Sequence, residues 1–274
     1  MRYTLRPRFA GLVRGELIKV RRQWMTWLLA LLVAGFVALG AVLTVVGWNL
    51  RGASHRPADL FAQEASLMAQ LVSAGAGILL LAVTSRAVAQ DFQNGTIRLF
   101  VARGAGRVQF LLAKLAAAGV VAAVTLAAGS LLAALVGGVL FAVLTGGLGG
   151  VPASGWSAVG LSLLAAAVSL ALCILLGFAA AGIGRSMVFG VAGALIFLRA
   201  DNLLNQILTA AGGSVSALRT MATYQLGFNL SSLASALQTA RPVSAAHALL
   251  VAAAYGVVLL AVPLVMFRVR DVHE

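Results

Sequence analysis

The sequence predicts an all-α, polytopic membrane protein, a single transmembrane domain over residues 1–274 with six membrane-spanning helices. Three observations predict it. The mean hydropathy is +1.01, with 61% of residues hydrophobic and only 10% charged, where a soluble domain carries about 25% charged residues. The apolar residues fall in uncharged runs of about twenty, the length at which a helix crosses ~30 Å of hydrocarbon. Basic residues collect at the ends of alternate runs, the pattern left by the rule that cytoplasmic flanks are positive.

The chain opens on residues 8–23, "RFAGLVRGELIKVRRQ". Phe9, Leu12, Val13, Leu17 and Val20 recur at helical spacing, while Arg8, Arg14, Glu16, Lys19, Arg21 and Arg22 occupy the remaining positions. This predicts an amphipathic helix at the membrane interface, its apolar side in the acyl boundary. The spans then follow at 24–47, 66–85, 113–145, 157–181, 187–204 and 246–267. The first is too long for the apolar core of a cleavable signal peptide.

The third span is too long for one perpendicular crossing. It must tilt, extend beyond the bilayer, or break near Gly129-Ser130 or Gly137-Gly138. The fifth is the weakest, because Arg199 and Asp201 interrupt its apolar run. "GGLGGVPASGW" joins the third and fourth spans as a flexible turn. The segment 205–245 between the last two spans has no charge run and moderate amphipathicity. Short helices lying on the outer leaflet are expected there, with breaks at Gly212-Gly213 and Pro242.

Orientation follows from the cations. Fifteen of the twenty Lys and Arg residues lie in the N-terminal segment, residues 86–114, the Arg185 turn and the C-terminal tail. These regions are therefore cytoplasmic, as are both termini; the dominance of Ala, Gly and Arg over Lys suggests a GC-rich bacterial genome and so a bacterial cell (inner) membrane. The formal charge of +13 is explained by these flanks, and no nucleic acid is expected as a partner; membrane lipid is. Cys173, the lone cysteine, sits in an apolar run and reads as a small buried hydrophobe.

Enzyme classes are disfavoured by what the chain lacks. The central parts of the six predicted spans hold no Asp, Glu, Lys, Arg or His, whereas proton- and ion-coupled pumps retain such groups despite their cost. There is no GxSxG, no HExxH and no metal-ligand spacing among His55, His247 and His273. Gly104-Ala105-Gly106-Arg107 lacks the strand and the GxxxxGK pattern of a phosphate-binding loop. No catalytic, metal or cofactor-binding residue is assigned. The chain holds a pathway and no engine.

One segment stands apart. "AQDFQNGTIRLFVARGAGRVQFLLAKL", residues 89–115, carries four cations, Arg98, Arg103, Arg107 and Lys114, against Asp91. Residues 86–93 continue the second span as a helix, Asn94-Gly95 makes a turn, and Thr96 can cap a short amphipathic piece over 96–103. A second break follows at 104–106. A short helix held between the ends of two spans is a lever on both.

In these residues the chain resembles the permeases of type-2 ABC exporters. "ELIKVRRQWMTW" (16–27) matches the family's approach to the first span. Residues 89–115 resemble its acid, Gly-Thr, Arg and closing Lys segment, "GIGRSM" (182–187) its turn between spans four and five, and "FRVRDV" (267–272) its last-span ending. Two positions depart from the family: Asp91 where Glu is common, and Gly104-Ala105 where a Pro is common.

The resemblance implies a membrane subunit that pairs with a second permease, identical or not, and with a separate cytoplasmic ATPase subunit that binds the ATP and Mg. Residues 86–112 would be the coupling segment, with Asp91, Gly95, Thr96, Arg98, Arg103 and Arg107 at or near the ATPase contact and the N-terminal helix bracing it. Spans two and five would lie closest to the path, making Ser73, Gly75, Gly77, Gly190 and Gly193 possible lining residues; the same small residues equally serve close packing within one subunit. A passive channel or carrier is the alternative, and a membrane enzyme or scaffold a third class.

Overall fold

The computed structural model describes residues 9–51, 57–96, 106–145, 153–211, 216–234 and 243–269. These form α1 (Phe9–Arg21), α2 (Trp24–Arg51), α3 (Pro57–Gln93), α4 (Arg107–Thr145), α5 (Ala153–Gly184), α6 (Met187–Ala211), α7 (Ser216–Ala222), α8 (Leu226–Ala234) and α9 (Ala245–Val269). All the regular structure among the described residues is helical. Helices α2 to α6 and α9 are each long and apolar enough to cross a membrane, and the protein is a multi-pass membrane protein.

Of the courses its length allowed, the third span takes an unbroken one, and the fifth runs past its expected end. Helix α4 runs unbroken for 39 residues through Gly129-Ser130 and Gly137-Gly138, about 58 Å at 1.5 Å per residue. Gly129 lets α3 approach: a Cβ there would stand 2.9 Å from Val72 Cγ1. Helix α6 continues past Arg199 and Asp201 to Ala211, since the Asp201 carboxylate finds a backbone donor at the far end of the bundle.

Helices α3 and α5 form the centre. About half of each apolar stretch is buried (50% and 44%), against 11% for α6 and for α9. Their contact is close because small residues meet there. Ser85 Oγ donates to Gly177 O at 3.2 Å, and a Cβ on Gly177 would come 2.5 Å from Leu81 O. In lipid, where no hydrophobic force draws helices together, such backbone approach supplies the dispersion contacts. Leu80 and Leu170 are fully buried beside it. Helices α2 and α4 flank α3, α9 and α8 pack on α5, and α1 lies against α4.

At the end opposite α1, α7 and α8 fold back over the bundle. Asp201 Oδ2 accepts from Gly227 N at 2.7 Å, and Asp201 O accepts from Gln225 Nε2 at 2.9 Å. Asn229 is fully buried, donating from Nδ2 to Thr223 O (2.8 Å) and Gln225 O (2.7 Å). His247 Nε2 lies 2.9 Å from Thr223 O, a structural contact for a histidine that begins α9.

Candidate functional site: a buried charge cluster at the α1 end

The functional candidates from sequence gather at the end of the bundle that carries α1. Helix α3 ends at Gln93, and the chain turns at Asn94-Gly95, with Asn94 N donating to Gln90 O at 2.9 Å. Gly95 adopts φ +62°, a left-handed conformation that closes a helix at little cost only for glycine. Thr96 follows, and its Oγ1 donates to Asp91 Oδ1 at 2.6 Å. The turn is thereby tied back to the last turn of α3.

Asp91 in turn faces Lys114, near the start of α4, whose ammonium ion-pairs with its Oδ2. The same ammonium lies 2.9 Å from Glu16 Oε2 on α1, and Glu16 Oε1 accepts from Lys19 Nζ at 2.8 Å. Lys114 also stands over the Phe110 ring, 4.9 Å from its centroid. The side chains are 3% (Lys114), 8% (Glu16) and 10% (Asp91) exposed. Two carboxylates around one buried ammonium, with Lys19 at the rim, satisfy each charge. Any one of them alone would be very costly to bury.

The surrounding core binds the other elements to this point. Val88, Phe110, Leu111, Phe178 and Phe267 form one buried cluster with Phe92 packed against it. Phe92 meets Phe267 edge to face at 5.7 Å, and Arg185 lies 5.9 Å above the Phe92 ring. Arg185 has φ 52° in the turn between α5 and α6, where Ser186 Oγ caps α6 by accepting from Phe189 N at 3.0 Å. Four stretches far apart in sequence, around Glu16, Asp91–Lys114, Arg185 and Phe267, thus meet in one place.

Of the other candidates, Arg14 and Arg21 are exposed on α1 and Arg22 just after it, and Glu16 is turned inward. Arg98 and Arg103 lie outside the described residues; Arg107 begins α4, its side chain also outside them. The possible lining residues separate. Gly75 faces Leu32 and Phe36, Gly77 faces Cys173, and Gly190 faces Ala181 and Ser85, all within this chain. Gly193 has more room, with no neighbour closer than 3.7 Å to a Cβ there. Ser73 lines a cavity between α3 and α5.

The family described as ABC-2 family transporter protein matches residues 12–201, more than half of the chain. The protein belongs to the ABC-2 transporter family. The match begins within α1 and ends at Asp201 in α6, so it takes in the whole charge cluster. The comparison with curated proteins gives no match. The chain is therefore an ABC-transporter membrane component, a permease by family. Lys114 is the residue whose role sequence reasoning missed. Its signal was legible: a lone lysine in "FLLAKLAAAGVV", with apolar residues on both sides, has to find a counter-charge.

Proposed function

We propose that this protein is the membrane-spanning subunit of an ATP-driven exporter, with the α1 end in the cytoplasm and a separate ATP-binding subunit docked there. It works with a second permease subunit in the bacterial cell membrane. The observation that carries the reading is the Lys114 cluster, which joins α1, the end of α3 and the start of α4 around the segment held between Gly95 and Arg107.

A displacement of that segment by the ATPase is passed on through three routes. Thr96 pulls on Asp91 and so on α3, the chain's central helix. Lys114 carries the movement into α4. Glu16 carries it into α1, which is tied to α2 by the hydrogen bond from Thr26 Oγ1 to Val20 O at 2.5 Å. Helices transmit such a push as rigid bodies between two packed arrangements. The exposed arginines of α1 and the Arg98 and Arg103 cations give the docking face its positive charge, complementary to an acidic groove. ATP and Mg are bound on the partner.

Co-expression with a candidate ATP-binding cassette subunit, followed by reconstitution, tests the reading. ATP-dependent accumulation of substrate is expected only with both subunits present. Charge reversal at Arg98 and Arg103 is expected to leave ATP hydrolysis and membrane insertion in place while transport falls. Uphill accumulation by this chain alone overturns the proposal, as does passive conductance that needs no partner.

A further inference from the structure

The extension of α6 beyond its expected end moves one cation to the middle of a membrane-spanning helix. Were the fifth span to stop at residue 204, Arg199 would sit near its end; in the 25-residue helix Met187–Ala211 it is the middle residue. It stands about 18 Å from each end at 1.5 Å per residue, against ~30 Å of hydrocarbon. Its side chain is exposed, on the span that is the least apolar of the six and, with α9, the least covered. A guanidinium at that depth has to meet an anion, a polar neighbour or water.

The acids of this chain are all placed elsewhere. Of the seven, Asp201 stands two positions on, turned to the opposite side of α6, where it accepts from Gly227 N. The others lie at other depths. Ser85 of α3 packs against Gly190 and Leu81 clusters with Ala194, so α3 and α6 run antiparallel and Arg199 comes level with the turn around Ala76. From there Asp59 and Glu64 lie at least ~18 Å toward one end of α3, and Asp91 lies ~22 Å toward the other. Glu16 shares Lys114 with Asp91. Asp271 and Glu274 follow α9, whose Phe267 packs with Val88 at that same end. A second copy in the same membrane has its acids at the same depths, so a two-fold pair does not supply the charge either. No ion pair among the described residues includes Arg199.

The stripe to which Arg199 belongs changes character at this residue. Toward the α8 end it continues with Asn202 and Gln206, both exposed, Gln206 Nε2 donating to Asn202 Oδ1 at 3.1 Å. Toward the α1 end it continues with Ile196, Ala192 and Val188, also exposed. These positions recur at helical spacing on one face. A cation with amides on one side and aliphatic groups on the other is complementary to an anionic head group joined to an alkyl chain.

We propose that Arg199 binds the anionic head group of an amphiphile, a phosphate or carboxylate, whose alkyl part lies along Ile196, Ala192 and Val188. Asn202 and Gln206 offer the head group its next hydrogen bonds toward the α8 end. This deepens the permease reading by naming a substrate class, and it rests on that reading for its meaning in transport.

The test reads charge and occupancy without transport. The full chain carrying Cys173→Ala and Leu203→Cys, its thiol one helical turn from Arg199, is placed in phosphatidylcholine nanodiscs. An anionic methanethiosulfonate is expected to label it faster than a cationic one, and Arg199→Gln to lower that ratio about tenfold, the effect of one nearby charge. Arg199→Lys should keep the ratio. Hexyl phosphate is expected to slow labelling in a saturable way, hexyltrimethylammonium and inorganic phosphate are not, and Arg199→Gln should abolish the protection. Phosphatidylglycerol in the nanodisc separates two sources of the same chemistry: protection by it makes membrane lipid the occupant, and its failure to protect leaves the free amphiphile. Ala200→Cys serves as a second reporter should Leu203→Cys fold poorly. Thiols that no reagent reaches, a ratio unchanged by Arg199→Gln, or equal protection by hexyl phosphate and either control would each overturn the assignment. Charge-selective protection without ATP-driven transport leaves the site standing and removes the permease reading; transport without protection does the reverse.

Discussion

Lys114 Nζ lies 2.9 Å from Glu16 Oε2, a contact between residues 98 positions apart that fastens α1 to α4. The same ammonium pairs with Asp91 at the end of α3. Three helices are thereby held by one side chain, at the point where the chain leaves the central helix for the basic segment. Because all three groups are buried, the cluster is stable only when complete, and a part of it is worse than none.

Lys114→Met should accordingly be the most damaging single change at this end. It leaves the buried Asp91 with only the Thr96 hydroxyl and Glu16 with only Lys19 at the rim, at a cost of about 3–5 kcal/mol. The triple variant Glu16→Gln, Asp91→Asn, Lys114→Met removes the charges together and should recover most of the loss. Thermal unfolding of the purified chain in nanodiscs reads both. Equal midpoints for the single and triple variants would show that the three groups do not act as a unit.

Thr96→Val should separate stability from coupling. The substitution deletes a hydrogen bond to a carboxylate, worth about 1.5–3 kcal/mol, at the terminus of α3, where fraying costs the rest of the fold little. With the ATP-binding subunit present, substrate moved per ATP hydrolysed should fall several-fold while the unfolding midpoint moves little. Thr96→Ser retains the hydroxyl and should behave like the parent. A loss of transport in Thr96→Ser as large as in Thr96→Val would remove the hydroxyl from the explanation.

The close approach of α3 and α5 gives a graded prediction. A Cβ at Gly177 would meet the Leu81 carbonyl oxygen, which is backbone and cannot swing aside, whereas at Gly193 the nearest atom is 3.7 Å away. Gly177→Ala should cost about 1–3 kcal/mol through overpacking, and Gly193→Ala should be nearly neutral. The same nanodisc melts decide, and a reversed order would mean that the helix pair is not packed at Gly177.

At the other end, Asp201 and Gly227 should behave as a coupled pair. Asp201→Ala removes the acceptor for Gly227 N near the start of α8, a loss of about 1 kcal/mol by analogy with helix caps. Gly227→Ala places a methyl 2.6 Å from Asp201 Oδ2 and should push the carboxylate away. Each change should loosen α8 and speed amide hydrogen exchange there. The double variant should be no worse than the more severe single one; additive effects would show that the two residues are independent.

Much of this architecture was legible in the sequence, and much of the site was not. The number of spans, the helix before the first of them, and the turn at Asn94-Gly95 depend on hydropathy and on local backbone chemistry, which neighbouring residues encode. Asp201 shows the limit within one element. An acid in an apolar run reads as an ending until its partner is known, and that partner, Gly227, comes 26 residues later. The serines of α3 and α5 likewise look like ordinary small residues until the two helices and α8 bring them to one cavity.

The sequence by itself determined that the described residues hold six helices long and apolar enough to cross a membrane, because burial in lipid depends on the apolar content of each segment and on little else. Only the tertiary structure decided that Glu16, Asp91 and Lys114 share one buried site. Coulombic pairing falls off with distance in space, and no spacing along the chain reports that α1 lies against α4.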